Sequence, residues 1–254
     1  MSSPQGRFSQ GTALVDGMMF ARAEAWGKHL VQRYAPVGAP ATGAAARAQE
    51  RLVHVHLGLY GGFTEEPMPM PEPVGAVRMR IEGTTMGTDL RGPTACEIYT
   101  PADLDALIAR LGPDPLRRDA RPERAFAAIS SSRRPIGALL MDQKVIAGIG
   151  NVYRAEVLYR AGINPFRPGT SFRRDEFDDL WVDLVGLMRI GVRRGRMHVV
   201  RPADDHGPAS YAPNRPRTYV YRRTGEPCRV CGTPIAHAEL DGRNLFWCPV
   251  CQPE

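Results

Sequence analysis

Cys228, Cys231, Cys248 and Cys251 stand near the end of the chain as two C-x2-C pairs with sixteen residues between them, within CRVCGTPIAHAELDGRNLFWCPVC. Each pair presents two thiolates from one tight turn, and two such turns supply the four sulfurs that tetrahedral zinc accepts. A closed four-sulfur shell leaves no position for a substrate, so the expected cofactor is one structural Zn2+. Two disulfides would use the same cysteines. The close pairing and the lack of a secretory pattern at the N-terminus weigh against them. Between the pairs, Asp241-Gly242 is a two-residue turn signal flanked by Pro234 to Leu240 and Arg243 to Trp247, which predicts a β-hairpin with Arg243 at its tip.

Lysine is the second chemical signal. Of 33 Lys+Arg residues only Lys28 and Lys144 are lysine, a scarcity that codon bias explains for the chain as a whole. Arginine stays protonated at any working pH, whereas a lysine amine can be tuned to move protons or attack carbon. Lys28 is therefore a candidate. A third signal is the turn in DQKVIAGIGNVYR, where Gly148, Gly150 and Asn151 precede a helix beginning near Val152. Such a turn delivers free helix N–H groups, which attract phosphate.

The elements that position these residues divide the chain. Val53, Val55, Leu57 and Leu59 alternate with His54, His56 and Gly58, and Val77, Met79 and Ile81 alternate with Arg78 and Arg80, as half-buried strands do. Residues 64 to 75, rich in proline and methionine, read as a surface connection, and Thr94 to Tyr99 as a further strand in which Cys96 is buried. Thr100-Pro101-Ala102-Asp103 is a capping-box signal opening a helix that Gly112-Pro113 stops. LGPDPL, Leu111 to Leu116, marks a junction. Beyond it the apolar spacing is helical over Glu123 to Ile129, Ile136 to Met141, Val152 to Arg160 and Asp175 to Gly191. A formal net charge of +6 favours an acidic partner. Nine arginines between Arg189 and Arg223 (189, 193, 194, 196, 201, 215, 217, 222 and 223) face only Asp204 and Asp205. No apolar run is long enough to span a membrane, so no membrane partner and a cytoplasmic setting are expected.

GALLMDQKVIAGIGNVYRAEVLYRAGI from Gly137 and YRRTGEPCRVCGTPI with GRNLFWCPVCQ from Tyr221 closely resemble the Fpg/Nei family of DNA glycosylases with AP-lyase activity. RLGPDPL, HLGLYGGF and AWGKHL extend the resemblance over nearly the whole chain. It implies an α+β fold: an N-terminal β-sandwich (1–112), a helical helix-two-turn-helix domain (113–218) and a zinc-finger β-hairpin (219–254), with damaged DNA bound between the first two. Carried over residue by residue, it makes Lys28 and Arg243 proton donors for β- and δ-elimination. It assigns phosphate contacts to Lys28, His56, Asn151 and Arg243, a further DNA contact to Arg110, and the filling of the vacated base position to Leu59-Tyr60. Nothing points to an oligomer, and a nucleoid-associated monomer is expected.

Two departures qualify that reading. The family's nucleophile is an N-terminal proline amine assisted by an adjacent glutamate, whereas this sequence opens MSSPQGRFSQ. The 254 residues alone are expected to be a truncated, inactive form of a bifunctional enzyme; a catalytically silent binder of damaged or gapped DNA is the alternative. Members that excise oxidised guanine carry an Arg-Arg-Phe-Gly loop where this chain has TDLRGPT, Thr88 to Thr94. With Leu59-Tyr60, that favours the Nei branch and oxidised pyrimidines, although Gly58 stands where that branch often has glutamine. A zinc-ribbon protein of the ribosome or transcription machinery would share the cysteines alone.

Overall fold

In the computed structural model, which describes residues 1–38, 49–206 and 217–254, alternating apolar and polar side chains organise the first part of the chain as strands. β1 (Met19–Trp26), β2 (His29–Ala35), β3 (Arg51–His56) and β7 (Ala95–Tyr99) form an antiparallel sheet in the order β1-β2-β3-β7. β4 (Gly62–Pro67), β6 (Met86–Arg91) and β5 (Val77–Glu82) form a second sheet in the order β4-β6-β5. Val53 and Val55 of the first sheet and Met79 and Leu90 of the second share one buried core, with Phe8 and Val15 from α1 (Ser9–Val15) and its entry at its margin. Two sheets over a common apolar layer make a β-sandwich. Because successive strand residues face opposite ways, burying Val53 and Val55 puts His54 and His56 on the outer face. Cys96 is buried in β7, and burial pushes its thiol up to about 12.

Two expectations are corrected here. β3 ends at His56 and not at Leu59, because Gly58 takes a left-handed φ of 70° and turns the chain out of the sheet. Thr64 to Pro67, expected as part of a surface connection, pair with β6. Their side chains are exposed on an edge strand, so no alternation of burial exists for the sequence to display.

α2 (Pro101–Arg110) opens as its capping box predicts. The Asp103 N–H donates to Thr100 Oγ1 at 3.2 Å, and the Thr100 N–H donates to Asp103 Oδ2 at 2.9 Å. Leu104 and Leu107 are buried, and α2 lies against β7.

The chain divides into compact units Met1–Arg110 and Leu111–Glu254. The second unit contains α3 (Pro122–Ser130), α4 (Ile136–Leu139), α5 (Asn151–Arg160), α6 (Arg174–Arg194), and the hairpin β8 (Ala236–Leu240) and β9 (Arg243–Trp247). One core centres on Ile129, Leu140, Ile146, Val157, Phe177 and Leu184. Another joins Tyr159 and Leu187 to Tyr219, Val220, Phe246 and Cys248, which ties α5 and α6 to the hairpin. Fully buried Glu156 accepts the N–H groups of Tyr219, Val220 and Tyr221 at 2.7, 3.0 and 2.9 Å. That carboxylate fixes the segment entering the hairpin. Among the described residues, no helix is long and apolar enough to cross a membrane. Arg215 lies outside the described residues.

Candidate nucleic-acid interface

The hairpin turns at Asp241-Gly242, whose φ values of 50° and 69° match a turn with both central residues left-handed. Leu240 then pairs with Arg243, whose exposed side chain lies at the tip. At the other end of the hairpin the four cysteine Sγ atoms lie within 4.8 Å of one another, with Cys228 to Cys251 at 3.8 Å and Cys231 to Cys248 at 3.4 Å. Zn–S bonds of about 2.3 Å in a tetrahedron place sulfurs about 3.8 Å apart, whereas a disulfide requires about 2.05 Å. All the cysteines are free. The donor set fits zinc, and Tyr159 Oη, 3.1 Å from Cys228 Sγ, supplies a hydroxyl to the thiolate.

From the hairpin a polar network reaches the start of α5. Gly148, at φ 91°, and extended Gly150 lead the chain into Asn151. Asn151 Nδ2 donates to the Asn244 carbonyl at 2.9 Å. The Arg154 guanidinium donates to Asn151 Oδ1 and, at 2.8 Å, to the same Asn244 carbonyl. Thus Asn151 is joined to the residue beside Arg243. Arg154 is fully buried, and among the described residues its Nε is the buried side-chain atom with no partner. Burial pushes its pKa down to about 10; Asp241 counters that effect and Arg243 adds to it. Arg134 braces the tip through Asp241 at 2.9 Å and reaches Asp142 at 3.1 Å.

In the first unit, Lys28 occupies the β1–β2 turn, and the next residue, His29, pairs in register with His56. The His29 and His56 rings lie 4.8 Å apart. His29 Nδ1 is 2.8 Å from His54 Nε2, and His54 Nδ1 is 3.3 Å from Glu97 Oε1. The carboxylate selects the His54 tautomer carrying the proton on Nδ1, so His54 Nε2 accepts from His29. Tyr99 stacks on His54 at 4.3 Å and hydrogen bonds with Arg110 at the end of α2. Burial is the main force pushing His29 down to about 4, aided by His54, His56, Arg110 and Lys28. His54 and His56 are also held below their ordinary range, chiefly by burial, in His54 against the pull of Glu97. These imidazoles are neutral near pH 7, acting as donors and acceptors of hydrogen bonds without adding charge.

Leu59 and Tyr60 lie on the turn after β3, 75% and 91% exposed. Thr94 N–H donates to the His56 carbonyl at 2.8 Å, which brings the TDLRGPT segment against this turn. A Cβ on Gly58 would overlap the Thr94 hydroxyl. Lys28, His56, Leu59, Tyr60 and Arg110 thus belong to the first unit, and Asn151 and Arg243 to the second. His29, His54, Glu97, Arg154 and Tyr159 were not singled out from the sequence. The histidines had a signal, since the non-core positions of an alternating strand carry imidazole twice. Arg154 and Tyr159 had none, because a helical arginine or tyrosine reads as ordinary until its buried partners are known.

Residues 111–201 match the formamidopyrimidine-DNA glycosylase H2TH domain, and residues 225–253 match the zinc finger found in FPG and IleRS. With the clustered thiols, this makes the cysteines the ligands of one structural zinc ion. "Endonuclease 8 1" of Mycobacterium tuberculosis (strain ATCC 25618 / H37Rv) is 58% identical over 256 residues, covering 99% of this chain and 91% of the relative. A formamidopyrimidine-DNA glycosylase of Thermus thermophilus is 32% identical over 251 residues, covering 96% and 86%. The Lactococcus lactis Fpg in complex with DNA containing an abasic site shares the fold at 18% identity, with a TM-score of 0.74 and coverage of 96% and 86%. With similarity at this level along almost its entire length, the chain belongs to the Fpg/Nei family of DNA glycosylases.

Proposed function

We propose that this chain is a base-excision-repair glycosylase and AP lyase of the Nei branch, binding duplex DNA at oxidised bases, pyrimidines foremost. The observation that carries the reading is the Leu59-Tyr60 pair. Two adjacent large apolar side chains stand exposed on a turn bounded by Gly58 and Gly61. Such a pair suits insertion into a base stack from which one nucleotide has been turned out. Lys28, His56 and Arg110 in one unit, and Asn151 and Arg243 in the other, offer donors to the flanking phosphates. The likeness to the mycobacterial endonuclease 8 supports the Nei assignment, as does the lack of a phenylalanine in Thr88 to Thr94.

In the lyase chemistry that the family resemblance implies, an amine bonds to C1′ as the base leaves. The resulting Schiff base loses a C2′ proton, and the 3′ phosphate departs. The Lys28 ammonium is the proton donor for this β-elimination. For δ-elimination, Arg243 is better suited to stabilising the departing phosphate electrostatically, because a forked guanidinium pairs with phosphate oxygens. The protein works as a monomer on nucleoid DNA in the cytoplasm, and residues 1–112, 113–218 and 219–254 divide the labour as insertion, helical and zinc-finger parts.

A second reading keeps the binding without the chemistry. Borohydride trapping on abasic-site DNA distinguishes the two. A covalent adduct is the result expected of the lyase, and duplex binding with no adduct would favour the silent reading. For the interface itself, Leu59→Ser with Tyr60→Ser is expected to lower affinity for an abasic-site duplex at least tenfold with an unchanged melting temperature. Equal affinity would remove the insertion role.

A further inference from the structure

The arginines of α6 and its flanks fall into two groups. In and before the first half, Arg173 pairs with Asp175 at 2.9 Å, Arg174 with Asp178 at 2.9 Å and Arg167 with Glu176 at 2.9 Å, while Arg160 forks onto Asp183. From Leu184 to Ala203 there is no acidic residue, and Arg189, Arg193, Arg194, Arg196 and Arg201 are all exposed. Among the described residues none of these five has a carboxylate partner. The nearest acids in sequence are engaged elsewhere: Asp204 accepts the Tyr219 hydroxyl at 2.6 Å and Asp205 pairs with Arg217 at 3.2 Å.

A solvated helix face mixes charges of both signs, as the first half of α6 does. The negative end of the α6 dipole favours Arg193 and Arg194 in the last turn, by about 0.3–1 kcal/mol each. It does not account for Arg189 a turn earlier, or for Arg196 and Arg201 beyond the left-handed Gly195. Tyr153, two residues after Asn151, donates to the Leu187 carbonyl at 3.5 Å and touches Gly191. The arginine-rich half of α6 therefore lies beside the turn of α5 that carries Asn151.

We propose that the C-terminal half of α6 and the turn after it form an auxiliary contact for the sugar-phosphate backbone of duplex DNA, outside the lesion-contacting residues. The inference rests on the DNA-binding reading above and extends it to a surface with no role in base removal. Forked guanidinium donors suit phosphate oxygens. Backbone contacts hold position and add affinity without reading sequence or damage, so this surface would hold the protein to undamaged duplex as firmly as to damaged duplex.

The test is the salt dependence of binding, measured by fluorescence anisotropy on an abasic-site duplex and on its undamaged counterpart. For Arg189→Gln/Arg193→Gln/Arg194→Gln, the slope of log affinity against log salt is expected to become shallower by about 2.7, at about 0.9 per phosphate contact. Affinity should fall about tenfold or more, and equally on both duplexes. Arg173→Gln/Arg174→Gln, in the paired half, is the control and should leave the slope unchanged. An unchanged slope for the triple variant, or a loss confined to the damaged duplex, overturns the inference while leaving the DNA-binding reading intact. Absence of salt-dependent duplex binding by the parent chain overturns that reading itself. If circular dichroism shows the triple variant to be unfolded, the single variants decide, each expected to lower the slope by about 0.9.

Discussion

Acidification should strain the first unit at one identifiable place. His29 donates to His54 while His54 donates to Glu97, and this order works only while His54 is neutral. A proton added to His54 Nε2 would set two N–H groups against each other across 2.8 Å. Lys28, Arg110 and His56 also face His29, and all oppose a positive charge there. In the fold the His29 pKa is pushed down to about 4 from an ordinary 6.5. A base with a depressed folded pKa contributes its full stability above the unfolded value, here pH 6.5, and loses it as pH falls from there through 4. The whole displacement corresponds to about 3 kcal/mol. Because the ring is only half-buried, solvent screening reduces this to about 1–2 kcal/mol.

Urea unfolding at a series of pH values from about 7.5 to 4, compared with His29→Gln, measures this contribution. Acid loosening of the zinc site is common to both proteins and cancels in the comparison. The parent is expected to lose about 1–2 kcal/mol more than the variant between pH 6.5 and 4. Parallel stability curves would refute the reasoning, because they would mean that His29 protonates as easily in the fold as in the unfolded chain.

Two further expectations concern the second unit. Glu156→Ala strips three N–H groups, two of them buried, of their acceptor, so unfolding free energy should fall by about 3–5 kcal/mol by chemical denaturation; a loss below about 1 kcal/mol would mean that the Tyr219 to Tyr221 segment is held by other contacts. Tyr159→Phe removes the hydroxyl from Cys228 Sγ while keeping the ring, and should weaken zinc affinity about tenfold in chelator competition. Unchanged zinc affinity would make that hydroxyl a packing feature only.

Legibility in the sequence followed the range of the interactions. The hairpin, its Asp241-Gly242 tip and the four thiols are specified by residues close together in the chain, and so is the capping box at Thr100; each was readable because short-range sterics and hydrogen bonding leave few alternatives. β1 escaped because most of its side chains are exposed, and a strand with little burial shows little alternation. The histidine chain depends on β2, β3 and β7 lying side by side, a pairing that only the whole sandwich sets. Among the candidate residues, Lys28 and Arg243 were distinguishable by chemical type or position in a turn. Arg154 was not: its importance comes from three acceptors, Gly137 and Asn151 before it and Asn244 ninety residues after it.

Arg154 also explains how a metal that takes no part in chemistry can serve a DNA site. Zinc fixes the base of the hairpin, the hairpin presents the Asn244 carbonyl, and that carbonyl accepts from both Asn151 and Arg154. The guanidinium, buried without a carboxylate beside it, is costly in isolation. Its neutral acceptors keep it tolerable, and one of them is available only while the hairpin is folded. Loss of zinc would therefore release Arg243 from its position and also remove an acceptor from Arg154, freeing the side chain of Asn151. Asn151 and Arg243, proposed above as phosphate contacts, are in this way supported by a single metal site, although they lie ninety-two positions apart in the chain.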